Sequence, residues 1–195
     1  MIAYKGFHRD LTCTMGRGVF QFHEGETVRE DASKCARSGF HCAEDPLDCF
    51  SYYPPGRGNR YFQVEAGGSL DEDGRDSKIA CTELTLVREL TVRQMVALGM
   101  MYMVRCPMRK WERQDGCVTV QRDTAVCGGA GTIAIARGPE PRVRGGAGAI
   151  LGLIREPRPG EIVDAKLFEV SGDVRPDVWY TLKDRELKEV EADEA

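Results

Sequence analysis

The chain has 195 residues, of which 27 are lysine or arginine and 31 are acidic, so its net charge is −4. At 42% hydrophobic residues it carries enough apolar side chains for a folded core, which excludes a disordered protein. The acidic excess falls in the last ten residues, which argues against a protein that coats nucleic acid, and no apolar run is long enough for a membrane-spanning helix.

Short strands joined by turns are predicted for the first part of the chain. Residues 2–7 are one strand candidate, and hydrophobic and polar residues alternate in residues 19–22 and 60–65. Residues 79–87 are a further strand candidate. The acidic, glycine-containing segment 67–77 is expected to be a loop.

Two helices are predicted from start signals and apolar spacing. Asp45 followed by Pro46 is typical of a helix start, so we expect a short helix that ends near Tyr53. A second helix is expected between Thr91 and Val104, because apolar residues recur there with helical spacing and Thr91 suits the N-cap position.

The glycine-rich second half is predicted to be β-rich. Glycine pairs separate its short strand candidates, which favours tight turns. Their spacing fits a small β-solenoid or roll, with a compact antiparallel sheet as the alternative. We therefore predict an α+β protein in four parts: a mixed head at residues 1–88, a buried connecting helix at 89–104, a β-rich region at 105–185 and an acidic tail at 186–195.

The eight cysteines are expected to be reduced thiols. The chain is longer than the small scaffolds that depend on disulfides, and its N-terminus shows no secretion signal. Cys35, Cys42 and Cys49 recur every seven residues, and His41 precedes Cys42. Structural zinc sites usually contain closely spaced ligand pairs, so we predict no metal site.

Aromatic and basic residues cluster after the first predicted helix. Tyr52, Tyr53 and Tyr61 lie beside Arg57 and Arg60 in the sequence. Guanidinium groups match phosphate oxygens and aromatic rings stack on bases, so this cluster is a candidate site for a nucleotide-like anion. A solvated loop is the alternative.

Several motifs resemble those of one protein family. They are the Tyr-Lys-Gly-Phe head motif at residues 4–7, the run at 39–48, Tyr-Tyr-Pro-Pro-Gly at 52–56, a glycine-containing repeat at 124–138 and a Pro-Asp-Val-Trp-Tyr-Thr-Leu tail at 176–182. Nearly the whole chain thereby resembles an uncharacterised family found in bacteriophages and bacterial genomes. The resemblance implies a mobile-element product that works in the cytoplasm of a bacterial host, and it implies no activity.

The order of elements in the head also resembles ADP-ribosyltransferases, in the branch similar to poly-ADP-ribose polymerases. By order alone, Lys5 with Gly6 matches the strand that carries a His-Gly pair, with lysine in place of the histidine. Phe40 with His41 matches the next element, and Glu83 matches the acid. This resemblance implies that Lys5, His41 and Glu83 are the catalytic residues and that NAD is the cofactor.

These observations lead to one functional hypothesis and two alternatives. The leading hypothesis is a non-enzymatic, phage-derived binding protein that counters a bacterial defence and needs no cofactor. Its partner is expected to be a small nucleotide-like anion or a host protein. The candidate ligand-binding residues are Tyr4, Lys5, His41, Tyr52, Tyr53, Arg57, Arg60 and Tyr61. The alternatives are the ADP-ribosyltransferase-like enzyme and a virion-associated structural component.

Overall fold

The structure, a computed structural model, describes residues 1–14, 18–35, 37–72 and 77–191. Within these ranges the chain forms two helices, α1 (Asp48–Tyr52) and α2 (Val92–Arg105), and fourteen strands. The strands are β1 (Ile2–Phe7), β2 (Thr12–Cys13), β3 (Phe20–Gln21), β4 (Thr27–Arg29), β5 (Phe40–Ala43), β6 (Arg60–Glu72), β7 (Lys78–Leu90), β8 (Arg113–Asp115), β9 (Val118–Val126), β10 (Ile133–Arg144), β11 (Ile150–Arg155), β12 (Asp164–Glu169), β13 (Trp179–Lys183) and β14 (Glu186–Val190).

The predicted α+β class is wrong, because the protein is mostly β. Strands hold 51% of the residues and helices hold 10%. Much of the difference arises in the hairpin of β6 and β7, whose strands exceed the predicted segments 60–65 and 79–87. The expected loop is strand as far as Glu72, because Gly68 takes a φ of +70° beside a register shift that keeps the two strands paired. The rest of that loop, residues 73–76, lies outside the described residues.

The chain divides into two compact units, Met1–Gly99 and Met100–Ala195. In the N-terminal unit the main sheet runs β4-β7-β5-β1-β6, and β6 also pairs with β7. Strands β7, β5, β1 and β6 therefore form a ring, which a single register pair closes between β5 and β1. The apolar core of this unit includes Phe7, Phe22 and Phe62, and the Phe7 ring meets the other two rings edge to face.

Helix α1 is shorter than predicted. Asp45 does not cap it directly: its Oδ1 accepts a hydrogen bond from the Leu47 N–H at 3.0 Å, and the helix begins at Asp48. Asp45 therefore stabilises the turn that leads into the helix. The helix ends at Tyr52, just before the prolines at residues 54 and 55.

Helix α2 begins after Thr91, as predicted. Thr91 Oγ1 accepts a hydrogen bond from the Gln94 N–H, and Gln94 Oε1 accepts one from the Thr91 N–H, so the two residues form a capping box. Gly99 lets the helix lie against Leu47, since a Cβ there would be 2.5 Å from Leu47 Cγ. Neither helix in the described part of the chain is long and apolar enough to cross a membrane.

The C-terminal unit is built on three parallel strands. Strands β9, β10 and β11 pair in register, so that Val118, Ile133 and Ile150 lie side by side. Antiparallel strands flank them: β8 pairs with β9, β12 pairs with β11, and β13 pairs with the end of β10. The unit thus combines a short parallel coil with antiparallel strands.

Small residues form the corners of this coil. The Gly146 N–H donates to the Gly128 carbonyl oxygen at 2.6 Å, and a Cβ on Gly148 would lie 2.9 Å from Ala130 Cβ. Successive corners therefore stack too closely for larger side chains. This stacking explains the glycine-rich sequence between the strands.

A buried ion pair lies in the same unit. The Arg137 guanidinium donates to both oxygens of Glu156, at 2.6 and 2.8 Å, and the Trp111 ring covers it at 4.7 Å. Burial opposes ionisation of Glu156, but the bonds from Arg137 outweigh it and lower the pKa of the carboxyl. The pair is therefore charged at neutral pH and fixes β10 to the residue that follows β11.

Part of the expected acidic tail is ordered. Strand β14 pairs with β13 through a tight turn in which Asp184 and Arg185 take φ values of 53° and 63°. Glu189 on β14 forms an ion pair with Arg175. Residues 192–195 lie outside the described residues.

Candidate functional site

A cleft opens in the N-terminal unit where β1 and β5 separate. The two strands share one register pair, Tyr4 with Ala43, whereas β1 is paired with β6, and β5 with β7, along their whole lengths. Beyond that pair the Lys5 side chain crosses the gap, and its Nζ donates to the His41 carbonyl oxygen at 2.7 Å. We term this opening, which encloses about 100 Å³, the head cleft.

Five of the predicted ligand-binding residues line the head cleft. They are Tyr4, Lys5, His41, Tyr52 and Tyr53. Strand β1 supplies two of them, β5 supplies one, and the end of α1 supplies the two tyrosines. Gly6 makes room for Tyr53, because a Cβ on Gly6 would lie 2.6 Å from Tyr53 Cδ2. The glycine in the head motif is therefore required by the close approach of α1.

Lys5 is a buried cation with an unusual environment. Its side chain is 5% exposed, and no carboxylate in the described part of the chain forms an ion pair with it. Its Nζ lies 5.4 and 5.5 Å from the ring centres of Phe7 and Phe22. A buried lysine is normally paired, since an ammonium loses its hydration on burial. The head cleft therefore contains a buried ammonium group that forms no ion pair with a described carboxylate.

The Tyr53 hydroxyl is a second buried donor in the cleft. Tyr53 is 5% exposed, and its hydroxyl lies beside Cys13 and Thr14 without a hydrogen bond of good geometry to any described residue. Burial raises the pKa of Tyr53, so the hydroxyl keeps its proton at neutral pH. A buried unpaired hydroxyl costs stability, and a ligand acceptor would remove that cost.

Tyr52 forms the accessible side of the cleft. Its ring is 43% exposed, and Lys78 Nζ lies 5.6 Å from the ring centre. The same Nζ donates to the Tyr52 hydroxyl at 3.3 Å. The ring is thus held in place by the lysine and presents an aromatic surface on which a planar group can stack.

Two carboxylates also line the cleft, and local donors hold both of them. Glu30 Oε2 accepts the Gly39 N–H at 3.1 Å. Asp48 Oδ2 accepts the Ser77 hydroxyl at 2.5 Å and the Ser77 N–H at 3.1 Å. The cleft therefore has fixed negative groups as well as cations.

The His41 side chain does not add a positive charge to the cleft. Burial lowers the pKa of His41, and the neighbouring charges of Lys5 and Lys78 lower it further. His41 is therefore neutral at pH 7.

The structure does not bring Arg57, Arg60 and Tyr61 to the head cleft. Arg57 is exposed, and Tyr61 is buried in the core. Arg60 donates to Glu89 at 2.7 Å and to Glu24 at 2.8 Å, and these carboxylates raise its pKa. Glu24 and Glu89, which are far from Arg60 in the sequence, neutralise its charge. The tyrosines and arginines that were predicted to form one cluster therefore lie in different places.

The residues of the ADP-ribosyltransferase-like alternative are not assembled. Lys5 and His41 line the cleft, but Glu83 does not. Glu83 lies on β7 and accepts a hydrogen bond from Arg29 on β4 at 3.1 Å. The predicted acid therefore takes part in a strand-to-strand ion pair instead.

Glu30, Asp48 and Lys78 also line the cleft, although no pattern in the sequence predicted them there. Lys78 reaches the cleft because β7 pairs with β5, which places Lys78 opposite Ala43. Asp48 stands in the first turn of α1, a position that by itself indicates only helix stability. No local signal marks these residues, since long-range strand pairing brings them together.

The cysteines form no disulfide, and they belong to no metal-binding cluster among the described residues. All eight cysteines are free, and Cys42 and Cys81 form a thiol hydrogen bond that, together with burial, raises the pKa of Cys42. The described residues contain no group of three or more His, Cys, Asp or Glu side chains that could hold a metal ion.

Comparison with known proteins assigns a family to the unit that contains the cleft. Residues 1–98 match the family described as a domain of unknown function, DUF7666. No curated protein and no solved structure matches the chain. The expectation of an uncharacterised family is confirmed, and the phage and bacterial origin stays a prediction. Because the match covers half of its length, the chain belongs to the DUF7666 family.

Proposed function

We propose that this protein is a non-enzymatic binding protein that holds a small, ring-bearing anion of nucleotide-like character in the head cleft. The observation that carries the proposal is the buried Lys5 ammonium, which has no carboxylate partner among the described residues. A bound anion supplies the missing charge and so removes the cost of burying the ammonium unpaired. The Tyr52 ring supplies a stacking surface beside it.

The arrangement of the cleft favours binding over catalysis. Glu83, the acid expected for the NAD-dependent alternative, is engaged with Arg29 outside the cleft. The carboxylates that do line the cleft, Glu30 and Asp48, are already held by local donors. Among the described residues, the acid that the resemblance assigns to ribose orientation is therefore outside the cleft.

The cellular part of the proposal depends on the family resemblance. A phage-derived protein in the cytoplasm of its bacterial host would counter a defence by sequestering an anionic signal molecule. Sequestration requires affinity for the signal molecule and enough copies of the protein, and it requires no chemical step. This agrees with a buried ammonium in the cleft and with catalytic candidates that do not lie together. The head motifs that carry the resemblance are the ones that form the cleft, at residues 4–7, 39–48 and 52–56.

Thermal unfolding with added anions tests the proposal. AMP, cyclic AMP, ADP-ribose and NAD are added at graded concentrations to the full chain. A ligand at about 100 times its Kd stabilises the folded state by about 2.7 kcal/mol, which for a chain of this size raises the Tm by about 5–10 °C. We expect at least one of these compounds to produce such a rise.

Two variants show whether the rise comes from the head cleft. Tyr52→Ala removes the stacking surface and should reduce the ligand-induced rise by more than half. Arg57→Ala, at an exposed position outside the cleft, is the matched control and should leave it unchanged. The absence of a rise with all four compounds, or an equal rise in Tyr52→Ala, would contradict the proposal.

A further inference from the structure

The charges of the head cleft limit how much negative charge a ligand can bring. Lys5 and Lys78 are the cations among the described lining residues, and Glu30 and Asp48 are the carboxylates. Neutral His41 adds no third cation. The two lysines and the two carboxylates balance each other, so a monoanion bound at Lys5 brings the lining to a net charge of −1, whereas a dianion brings it to −2 and is disfavoured more strongly.

The buried donors of the cleft suit an acceptor with two oxygens. The Lys5 ammonium has three N–H groups, and one of them is used by the His41 carbonyl oxygen. The Tyr53 hydroxyl supplies a further donor without a hydrogen bond of good geometry to any described residue. A carboxylate offers two oxygens to such donors and carries one negative charge.

The lining lacks the groups that proteins commonly use for phosphate. A phosphate monoester carries a charge of about −1.5 to −2 at neutral pH and is usually held by arginine forks or by several backbone N–H groups at a helix N-terminus. No arginine lines the cleft among the described residues, and Arg60 is bound to Glu24 and Glu89 outside it.

The walls of the cleft are suited to one aromatic ring. Phe20, Phe40 and Tyr52 line it together with the buried donors, and the Phe20 and Phe40 rings meet edge to face at 5.2 Å. The enclosed space is about 100 Å³, and the rest of a ligand larger than one ring would extend out of the cleft.

From these observations we infer that the head cleft selects a planar aromatic or heteroaromatic monocarboxylate, whose carboxylate binds Lys5 Nζ. A phosphate monoester, which carries a charge of about −1.5 to −2, is disfavoured beside Lys5 because Glu30 and Asp48 line the same cleft. The inference rests on the proposed function, because it names the ligand chemistry of the same cleft.

Isothermal titration of the full chain with matched probes tests the inference. The pairs are benzoate with benzamide and nicotinate with nicotinamide, since each pair shares its shape and differs in one charge. AMP and inorganic phosphate are titrated alongside them. We expect each carboxylate to bind at least tenfold more tightly than its amide, and inorganic phosphate to give no measurable binding.

Three variants locate the carboxylate. Lys5→Met keeps the length of the side chain without its charge and should weaken carboxylate binding about 100-fold, as expected when one partner of a buried charge pair is removed. Tyr53→Phe removes only the hydroxyl and should weaken carboxylate binding less than Lys5→Met does, by no more than about tenfold. Lys110→Met, at an exposed lysine that does not line the cleft, should change nothing.

The outcomes separate this inference from the proposed function. Equal binding of an acid and its amide, or full binding by Lys5→Met, would overturn the inference. Binding of AMP without binding of either carboxylate would also overturn it and would leave the proposed function standing. If none of the probes binds, the result contradicts both the inference and the proposed function.

Discussion

At the level of single residues, the Lys5 ammonium loses most of its hydration on folding and gains little in return. It gains a hydrogen bond to the His41 carbonyl oxygen, worth about 1.5–3 kcal/mol for a charged donor, and contacts with two aromatic rings at 5.4 and 5.5 Å, close to the outer limit of about 6 Å for cation–π contacts. The desolvation of an unpaired buried ion costs several kcal/mol. The ammonium is therefore expected to lower the stability of the unliganded protein.

This balance predicts the effect of Lys5→Met on stability. Without ligand, the variant should be as stable as the unmodified chain or more stable, by about 0–2 kcal/mol, because methionine fills the same space without a desolvated charge. Urea unfolding with linear extrapolation measures the difference, with Lys110→Met as the control that changes nothing. A loss of more than about 1 kcal/mol in Lys5→Met would show that the ammonium is a structural group.

The candidate site could be predicted from the sequence only in part. Tyr52 and Tyr53 were found because aromatic residues cluster at the end of a predicted helix. Arg57 and Arg60 were placed with them by sequence proximity alone, whereas in the fold Arg60 is bound by Glu24 and Glu89. These acids lie 36 and 29 residues away, so no local pattern shows that they reach the arginine.

At the level of elements, strong local signals predicted the right structures. The strand candidate at residues 2–7 is β1, and the predicted Thr91 N-cap marks the start of α2. The hairpin of β6 and β7 was underestimated because Gly68 occupies a bulge inside a strand. A glycine in a bulge and a glycine in a turn carry the same sequence signal, so the class of the fold could not be inferred from it.

The stacked corners of the C-terminal unit predict a graded cost of added side chains. Gly148 and Gly172 both have positive φ, but a Cβ on Gly148 would lie 2.9 Å from Ala130 Cβ whereas nothing lies within 4 Å of one on Gly172. Both alanine variants carry the cost of a left-handed backbone, about 1 kcal/mol, and Gly148→Ala adds about 1–3 kcal/mol of overpacking. Chemical denaturation of the two variants measures the difference. Equal losses would show that the corners are not tightly stacked.

At the level of the whole molecule, the closed ring of β7, β5, β1 and β6 determines where a cleft can form. Strand β1 is fully paired with β6, and β5 with β7, so the weak contact between β1 and β5 is the place where the ring opens. The sequence predicted strands in this region but not their order. The order depends on long-range pairing, which also brings Lys78 to the same opening as Lys5.

The unit that contains the opening is also the part of the chain that the DUF7666 family covers, residues 1–98. Most aromatic residues of the chain lie in this N-terminal unit. The glycine-rich corners lie in the C-terminal unit. Binding is therefore expected in the N-terminal unit, whereas the corner glycines of the C-terminal unit allow its corners to pack closely.

The measurement that tests this account most directly is a nuclear magnetic resonance titration of the isotope-labelled full chain with benzoate and, separately, with AMP. The account predicts that the largest shifts with the bound compound occur at Lys5, His41, Tyr52 and Tyr53, and that they disappear in Lys5→Met. Shifts confined to the C-terminal unit, or spectra unchanged by both compounds, would contradict it.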